Sequence, residues 1–217
     1  EIGPGAPGAP LVLFCHGWPE SWYSWRHQLQ AVSAAGFRCV APDMRGYGGT
    51  QAPETIEHYT LFHLVGDMAE LVKALGETRA FIVGHDWGAP VAWHAALWRP
   101  DLLPAVCAMS VPYSPPGYVD VLSALEKLGI NDFYMQYFQK PGVAEAEMQQ
   151  DIRTALRRIY YTAGGDLTEP GKGFARLPDG TLLSNTVDPP KLPAWLSEAD
   201  LDYYAGEFAR AGFRGGF

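Results

Sequence analysis

The residues best suited to chemistry in this sequence are the pentapeptide Gly84-His85-Asp86-Trp87-Gly88. Its spacing is that of the G-x-S-x-G turn, which exposes a serine nucleophile between a strand and a helix, but aspartate occupies the serine position. A carboxylate there can attack an electrophilic saturated carbon and form an ester with it. The alternative interpretation is structural, with Asp86 only capping the N-terminus of the next helix.

The residues around Asp86 match the strand, turn and helix that such a nucleophile requires. The apolar run 80–83 is typical of a buried parallel strand, and residues 89–96 have a helical composition. Pro90 is tolerated in a first helical turn, where its missing N–H has no partner in any case. The helix dipole at that N-terminus favours the charged form of Asp86. These surroundings suit a nucleophile, and at this point the capping interpretation stays open beside it.

The overall composition excludes several classes of protein. The 217 residues are 47% hydrophobic and 13% aromatic, which allows a well-buried core, and the formal net charge is -8. Lysine and arginine form no basic patch, so we expect no nucleic-acid partner. No apolar run approaches the roughly 20 residues of a membrane span. No histidines or cysteines have metal-ligand spacing, so we expect neither a metal nor another cofactor.

The cysteines indicate the redox environment, and with it the cellular compartment, of the protein. Cys15, Cys39 and Cys107 each lie in an apolar, strand-like run, and their odd number argues against a disulfide framework. Buried free thiols are typical of a reducing environment, and residues 1–10 lack the apolar segment of a signal peptide. We therefore predict a cytoplasmic protein.

Strands alternate with helices in the first half of the chain. Strands are predicted at 10–15, 37–41, 80–83 and 105–111, and helices at 21–35, 61–75 and 89–96. This alternation predicts an α/β fold in which helices flank a mostly parallel sheet.

The second half of the chain has a different, largely helical pattern. Apolar residues recur at helical spacing over 144–161, and Ser197 and Asp200 have the spacing of a capping box. We therefore divide the chain into a partial core, 1–112, and a partial helical lid, 113–217, inserted after the fourth strand. Such a lid would exclude water and complete a pocket.

Loops at the carboxyl ends of the strands are expected to surround Asp86, because ligands bind at that edge of a parallel sheet. The backbone N–H groups of Trp18 and Trp87 are the predicted oxyanion hole for hydrolysis of an Asp86 ester. His16 and Pro19, in the same loop as Trp18, are predicted to line the substrate pocket. His16 ends a strand, so we interpret it as a brace for its loop rather than a catalytic base.

Four ordered segments resemble the epoxide hydrolases of the α/β-hydrolase superfamily, in particular the soluble ones. The segments are 16–26, 42–48, 84–88 and 133–142. The likeness covers nearly the whole chain, and four motifs at compatible spacing are far more specific than one. The resemblance implies the α/β-hydrolase fold, with a helical lid over the active edge of the sheet.

The resemblance also implies a reaction, the hydrolysis of an epoxide to a vicinal diol. Asp86 would attack the less hindered epoxide carbon while two lid tyrosines protonate the ring oxygen. A histidine oriented by a second acid would then activate water against the ester. Tyr134 matches the first lid tyrosine by its place in the segment 133–142, and Tyr137 is the rival candidate. Tyr137 and Phe138 are assigned to the pocket of a small, apolar substrate.

Part of that machinery has no counterpart in these residues. No histidine follows His94, and the stretch 110–113, where some relatives carry the orienting acid, has no carboxylate. The histidine, the second acid and the second lid tyrosine are therefore assigned to no residue. We expect both ends to be truncated, and we expect this segment alone to be alkylated once at Asp86 without turning over.

Two other functions remain open. A haloalkane dehalogenase shares the Asp-Trp turn, but it usually carries a halide-binding side chain such as asparagine where this chain has Trp18. A lid tyrosine also favours an epoxide, because an alkoxide leaving group needs a proton and a halide does not. The missing histidine is consistent with a non-catalytic ligand receptor of the same fold.

Overall fold

Parallel strands form the centre of the first of two units, Glu1–Ser114 and Pro115–Phe217. The computed structural model describes residues 1–3, 8–115 and 120–217. Within these ranges the sheet has the order β2-β1-β3-β4. Its strands are β1 (Leu11–Cys15), β2 (Arg38–Val40), β3 (Ala80–His85) and β4 (Ala105–Met109). All three strand pairs are parallel, which confirms the predicted parallel sheet.

Helices cover the sheet because its strands are apolar on both sides. The helices of this unit are α1 (Arg26–Ala34), α2 (Leu61–Ala74) and α3 (Gly88–Trp98). Val12 and Phe14 of β1 pack in one cluster with Leu29 of α1. The alternate residue Cys15 contacts Met68 of α2, with 3.5 Å between the sulfur atoms. Alternate side chains of a strand point to opposite faces, so α1 and α2 lie on opposite faces of the sheet.

Some element boundaries differ from the prediction. The predicted helix 21–35 begins as a 3₁₀ turn, Trp22–Trp25, before α1. The predicted strand 105–111 ends at Met109, because Ser110 has a positive φ of 63° that no strand accommodates. Along α2 the buried residues are Val65, Met68, Ala69 and Val72, a stripe at helical spacing.

The second unit is helical. Its helices are α4 (Val121–Lys127), α5 (Tyr134–Phe138), α6 (Val143–Met148), α7 (Ile152–Ala163) and α8 (Glu198–Ala211). The helical pattern over 144–161 is divided between α6 and α7, because the Asp151 carboxylate accepts the Thr154 N–H at 3.0 Å and caps a new helix. The predicted capping box at Ser197 and Asp200 is confirmed.

Side chains of α7 hold the irregular segment between α7 and α8. The Arg158 guanidinium donates to the carbonyls of Leu183 and Thr186, and the Val187 N–H donates to the Thr162 hydroxyl at 2.9 Å. These bonds order a segment that has no helix or strand of its own. The first unit ends at Ser114, two residues after the predicted boundary at 112. The assignment of the second unit as a lid stays a prediction.

Candidate active site

Asp86 lies on a tight turn between β3 and α3. Its φ is +50°, a left-handed conformation that aspartate tolerates better than most residues. The two flanking glycines make the turn possible. A Cβ on Gly84 would lie 2.2 Å from the Gly88 carbonyl oxygen, and a Cβ on Gly88 would lie 2.1 Å from the Cys15 carbonyl oxygen. The glycine spacing in the sequence is therefore a steric requirement of this strand-to-helix turn.

The Asp86 side chain does not cap α3. The N-cap residue is Trp87, which makes no side-chain capping bond. The Asp86 Oδ1 instead accepts the Trp18 backbone N–H at 2.8 Å, and the nearby Trp87 N–H acts with it to lower the pKa of the carboxyl group. The structure thus brings Asp86 together with the backbone N–H groups of Trp18 and Trp87, and their roles as nucleophile and oxyanion hole stay predictions. The capping interpretation is wrong.

Ser110 supports the same turn from the neighbouring strand. It directly follows β4, and its hydroxyl accepts the Asp86 backbone N–H at 3.3 Å. Both residues have a positive φ. No pattern in the sequence indicated this contact, because it joins residues 24 positions apart.

The loop that carries Trp18 approaches Asp86 closely. A Cβ on Gly17 would lie 2.4 Å from both the Cβ and the Oδ1 of Asp86, so a larger residue would displace the loop. Trp18 is 7% exposed, and the peptide bond between Trp18 and the buried Pro19 is cis. The Trp87 side chain, in contrast, is 46% exposed. The two tryptophans serve the carboxylate through their backbones.

His16 braces this loop through both ring nitrogens. Its Nε2 accepts the Met44 N–H at 2.9 Å, so its Nδ1 must carry the proton that bonds to the Gly17 carbonyl at 2.9 Å. The side chain is 2% exposed, and burial lowers its pKa. A neutral imidazole with both nitrogens bound to backbone holds two loops together. The predicted pocket role of His16 and Pro19 stays a prediction.

Glu20 is a residue of the site that the sequence analysis did not single out. Its Oε2 accepts the Gly17 N–H at 2.9 Å, and its Oε1 lies 3.2 Å from the His85 Nδ1. Burial raises the pKa of Glu20, but the bonds from His85 and Gly17 together outweigh it, so the pKa is lowered. The bond to Glu20 raises the pKa of His85. This pair ties the Trp18 loop to the residue before Asp86.

Burial is the main influence on the ionisation of Asp86. It raises the pKa of the carboxyl group, while the N–H groups of Trp18 and Trp87 act in the opposite direction. Burial thus makes the charged form less stable than in water, which makes it more reactive toward an electrophile. The Trp18 N–H holds the Oδ1 of this carboxylate.

The tyrosines of the second unit have different surroundings. Tyr137 is 8% exposed, and its hydroxyl donates to the Glu147 Oε2 at 2.7 Å. Burial and this bond raise the pKa of Tyr137, so its proton is held tightly. Tyr134 is only partly buried, and its ring contacts Phe138 and Phe174 at centroid distances of 5.3 and 5.6 Å. The structure places Tyr134, Tyr137 and Phe138 on one short helix, α5.

Two further observations concern metals and membranes. Across the ranges that the structure describes, no group of three or more histidine, cysteine, aspartate or glutamate side chains could hold a metal ion. Among the helices in those ranges, none is long and apolar enough to cross a membrane.

A nucleophile turn after a central parallel strand, with helices on both faces of the sheet, defines a class of α/β proteins. The chain belongs to the α/β-hydrolase fold family, whose family model matches residues 10–163. The expected fold class, a parallel sheet flanked by helices, is thereby confirmed.

Within that family the chain is similar to epoxide hydrolases. It is 45% identical over 219 residues to epoxide hydrolase A of Mycobacterium tuberculosis, covering 98% of this chain and 66% of that protein. It is 46% identical over 222 residues to epoxide hydrolase 2 of Siraitia grosvenorii, covering 100% of this chain and 66% of the relative. The structure of an epoxide hydrolase from an endophytic Streptomyces superimposes with a TM-score of 0.90 at 48% identity, covering 96% of this chain and 64% of that one. The chain thus spans about two thirds of the length of these relatives.

Proposed function

We propose that this protein hydrolyses epoxides to vicinal diols through an ester on Asp86. The observation that carries the proposal is the Asp86 carboxylate, held at 2.8 Å by the Trp18 N–H on a left-handed turn. A cap would face the helix, whereas this carboxylate is bound by the oxyanion donors. The similarity to epoxide hydrolases supports an epoxide as the electrophile.

The first step opens the epoxide ring. The Asp86 Oδ2 attacks the less hindered ring carbon, and the carbon–oxygen bond breaks with its electron pair going to the ring oxygen. That oxygen takes the hydroxyl proton of Tyr134, which leaves a β-hydroxyalkyl ester on Asp86. Tyr134 is favoured over Tyr137 as the donor, because Glu147 holds the Tyr137 proton.

The second step returns Asp86 to the carboxylate. Water attacks the ester carbonyl carbon, and negative charge develops on the Oδ1, to which the Trp18 N–H already donates. One donor of this kind is worth about 2.7–4 kcal/mol of activation free energy. The tetrahedral intermediate then breaks its bond to the alkyl oxygen, which takes the proton back from the base and leaves as the diol, while the acid proton on Asp86 returns to the Tyr134 oxygen. The base that takes the proton from water is assigned to no residue of this chain.

The aromatic surroundings of Tyr134 support a small apolar substrate. Phe138 and Phe174 flank Tyr134 with aromatic faces, and such surfaces favour apolar groups. A cytoplasmic location stays a prediction. Cys15 and Cys39 are free and buried, as expected, whereas the expected burial of Cys107 is wrong, because this thiol is exposed.

Mass spectrometry of the protein after brief exposure to an epoxide tests the proposal. With styrene oxide, rapid quenching should trap an adduct equal to the mass of the epoxide on the peptide that contains Asp86. The Asp86→Asn variant should form none, because an amide is not a nucleophile toward this carbon. An adduct on another residue, or an undiminished adduct in the variant, would contradict the ester mechanism.

The same assay distinguishes the rival functions. A bromoalkane of the same carbon skeleton, offered in parallel, should alkylate Asp86 more slowly than the epoxide if Tyr134 assists ring opening. Alkylation by the bromide alone would identify a dehalogenase. Reversible binding of both compounds without any adduct would identify a receptor.

A further inference from the structure

The carboxylate of Glu147 joins three segments of the second unit. Its Oε2 accepts the Tyr137 hydroxyl at 2.7 Å and the Leu182 N–H at 2.9 Å, and its Oε1 accepts the Leu183 N–H at 2.8 Å. Tyr137 belongs to α5, Glu147 to α6, and the two leucines to the irregular segment before α8. Backbone donors therefore fix Glu147, and Glu147 in turn fixes the tyrosine.

Helix α5 depends on such external contacts because it is only five residues long. A single turn of helix is not stable on its own hydrogen bonds. Tyr137 follows Tyr134 by three positions, so the two side chains lie on the same side of the turn. A bond that fixes the Tyr137 hydroxyl therefore fixes the rotation of the turn that carries Tyr134.

Other contacts hold the backbone of α5 at its beginning. The Tyr134 N–H donates to the Ala175 carbonyl at 3.0 Å, and the Gln136 side-chain amide donates to the Ile130 carbonyl at 2.8 Å. These bonds locate the start of the turn. The bond between the Tyr137 hydroxyl and Glu147 restricts the rotation of the helical turn near its C-terminal end, where Tyr137 is buried.

We propose that Glu147 is a positioning residue for ring opening, which holds Tyr134 through Tyr137 in the orientation that protonates the epoxide oxygen. The inference rests on the proposed function, in which Tyr134 is the proton donor. Glu147 touches neither the substrate nor the reacting atoms in this role. Its effect is confined to the step that needs a proton.

This role makes a prediction that depends on the leaving group. An epoxide oxygen must be protonated as it leaves carbon, whereas bromide leaves without a proton. Misplacing Tyr134 should therefore slow the alkylation of Asp86 by an epoxide and spare its alkylation by a bromoalkane. A general loss of structure would slow both reactions.

The Glu147→Gln variant is the main test. Whichever way the amide turns, its NH₂ group faces the N–H of Leu182 or of Leu183, so one backbone bond is lost. We expect alkylation of Asp86 by styrene oxide to fall about ten-fold, and alkylation by the matching bromoalkane to stay within about two-fold of the parent protein. Tyr137→Phe, which removes one hydroxyl and keeps both backbone bonds, should act in the same direction by about three-fold.

Two controls complete the experiment. Asp202→Asn breaks the ion pair with Arg153 that joins α8 to α7 in the same unit, and it should leave both rates unchanged. In a Tyr134→Phe background, Glu147→Gln should have no further effect on the epoxide rate. Unfolding midpoints of all variants, measured in urea, show which of them are folded at the assay temperature.

The possible outcomes separate the two proposals. Equal losses with both electrophiles, no loss with either, or an undiminished Glu147→Gln effect without the Tyr134 hydroxyl would overturn the positioning role. Should the parent protein form no Asp86 adduct with the epoxide, the proposed function itself fails, and the positioning role fails with it. If Glu147→Gln does not fold, Tyr137→Phe decides by the same comparison of electrophiles.

Discussion

Asp86 and Glu147 are partly buried carboxylates that both accept backbone N–H groups, yet the chain uses them in opposite ways. Glu147 has a donor on each oxygen, from Leu182 and Leu183, and a tyrosine hydroxyl besides. Asp86 accepts the Trp18 N–H on its Oδ1, and the Trp87 N–H also lowers the pKa of this carboxyl group. The first arrangement saturates the carboxylate. The second holds the Oδ1, and the proposed function assigns the attack to the Oδ2.

The difference also lies in the backbone that carries each carboxylate. Glu147 lies within a regular helix, α6, where its side chain points to a fixed set of donors. Asp86 has a positive φ on a turn that only close glycine contacts allow. Strain of this kind costs about 1–3 kcal/mol and persists at functional sites because the surrounding structure enforces it. The Glu147 carboxylate stabilises the fold, whereas the conformation of Asp86 is held at a cost.

Removal of the Glu147 carboxylate should therefore have the largest effect on stability. In Glu147→Ala, the Tyr137 hydroxyl and the N–H groups of Leu182 and Leu183 lose their acceptor, and each unsatisfied group costs about 1–3 kcal/mol. We expect the free energy of unfolding, measured in urea, to fall by about 3 kcal/mol. Glu126→Ala, at an exposed position of α4, should change it by less than about 0.5 kcal/mol. Similar values for the two variants would show that Glu147 is not an anchor.

A methyl group at Gly17 should damage the nucleophile more selectively. Its Cβ would lie 2.4 Å from the Asp86 Oδ1, so the loop must shift and withdraw the Trp18 N–H. We expect Gly17→Ala to slow Asp86 alkylation by about a hundred-fold, which corresponds to about 2.7 kcal/mol of activation free energy.

Gly66→Ala is the matched control for that variant. Gly66 lies in α2, and a Cβ there meets nothing within 4 Å. Its helix should gain about 0.5–1 kcal/mol of stability while the alkylation rate stays the same. Full reactivity in Gly17→Ala would show that the close loop is not needed to hold the carboxylate.

The parts of the site that the sequence predicted are those that local sterics determine. The spacing of Gly84 and Gly88 identified the turn, because crowding between a strand end and a helix start excludes other residues there. The apolar run before Gly84 identified a parallel strand, of which Ala80 and Ile82 are buried as expected, whereas Phe81 is 39% exposed. The role of Trp18 followed from the end of another strand at the same edge of the sheet. The structure confirms that its N–H reaches Asp86.

Contacts between distant residues could not be predicted in the same way. Ser110 supports Asp86 from 24 positions away, and Leu183 binds Glu147 from 36 positions away. Each is a polar residue or a plain backbone N–H whose partner depends on how the elements pack. Glu20 carried a weak local signal, as a carboxylate three residues after a glycine that must approach Asp86. Its second partner, His85, became evident only in the folded chain.

The smallest predicted effect on stability is that of Asp86→Asn, and its sign is opposite to that of Glu147→Ala. Burial raises the pKa of Asp86 above its ordinary value of 3.8, so the folded chain holds this proton more tightly than the unfolded chain does. The stability that Asp86 contributes is therefore fully present below about pH 3.8 and is lost as the pH rises through the folded pKa. At neutral pH the charged carboxylate costs folding free energy. The asparagine side chain of the Asp86→Asn variant has the same shape, accepts the left-handed conformation and carries no charge.

We therefore expect Asp86→Asn to be more stable than the parent protein at pH 7, by about 1 kcal/mol, and equally stable below pH 3.8. Urea unfolding at both pH values measures this difference. A variant that is less stable at pH 7 would mean that the Trp18 and Trp87 donors stabilise the charge by more than burial penalises it. Asp86 would then be a saturated anchor like Glu147, and the contrast between the two carboxylates would not hold.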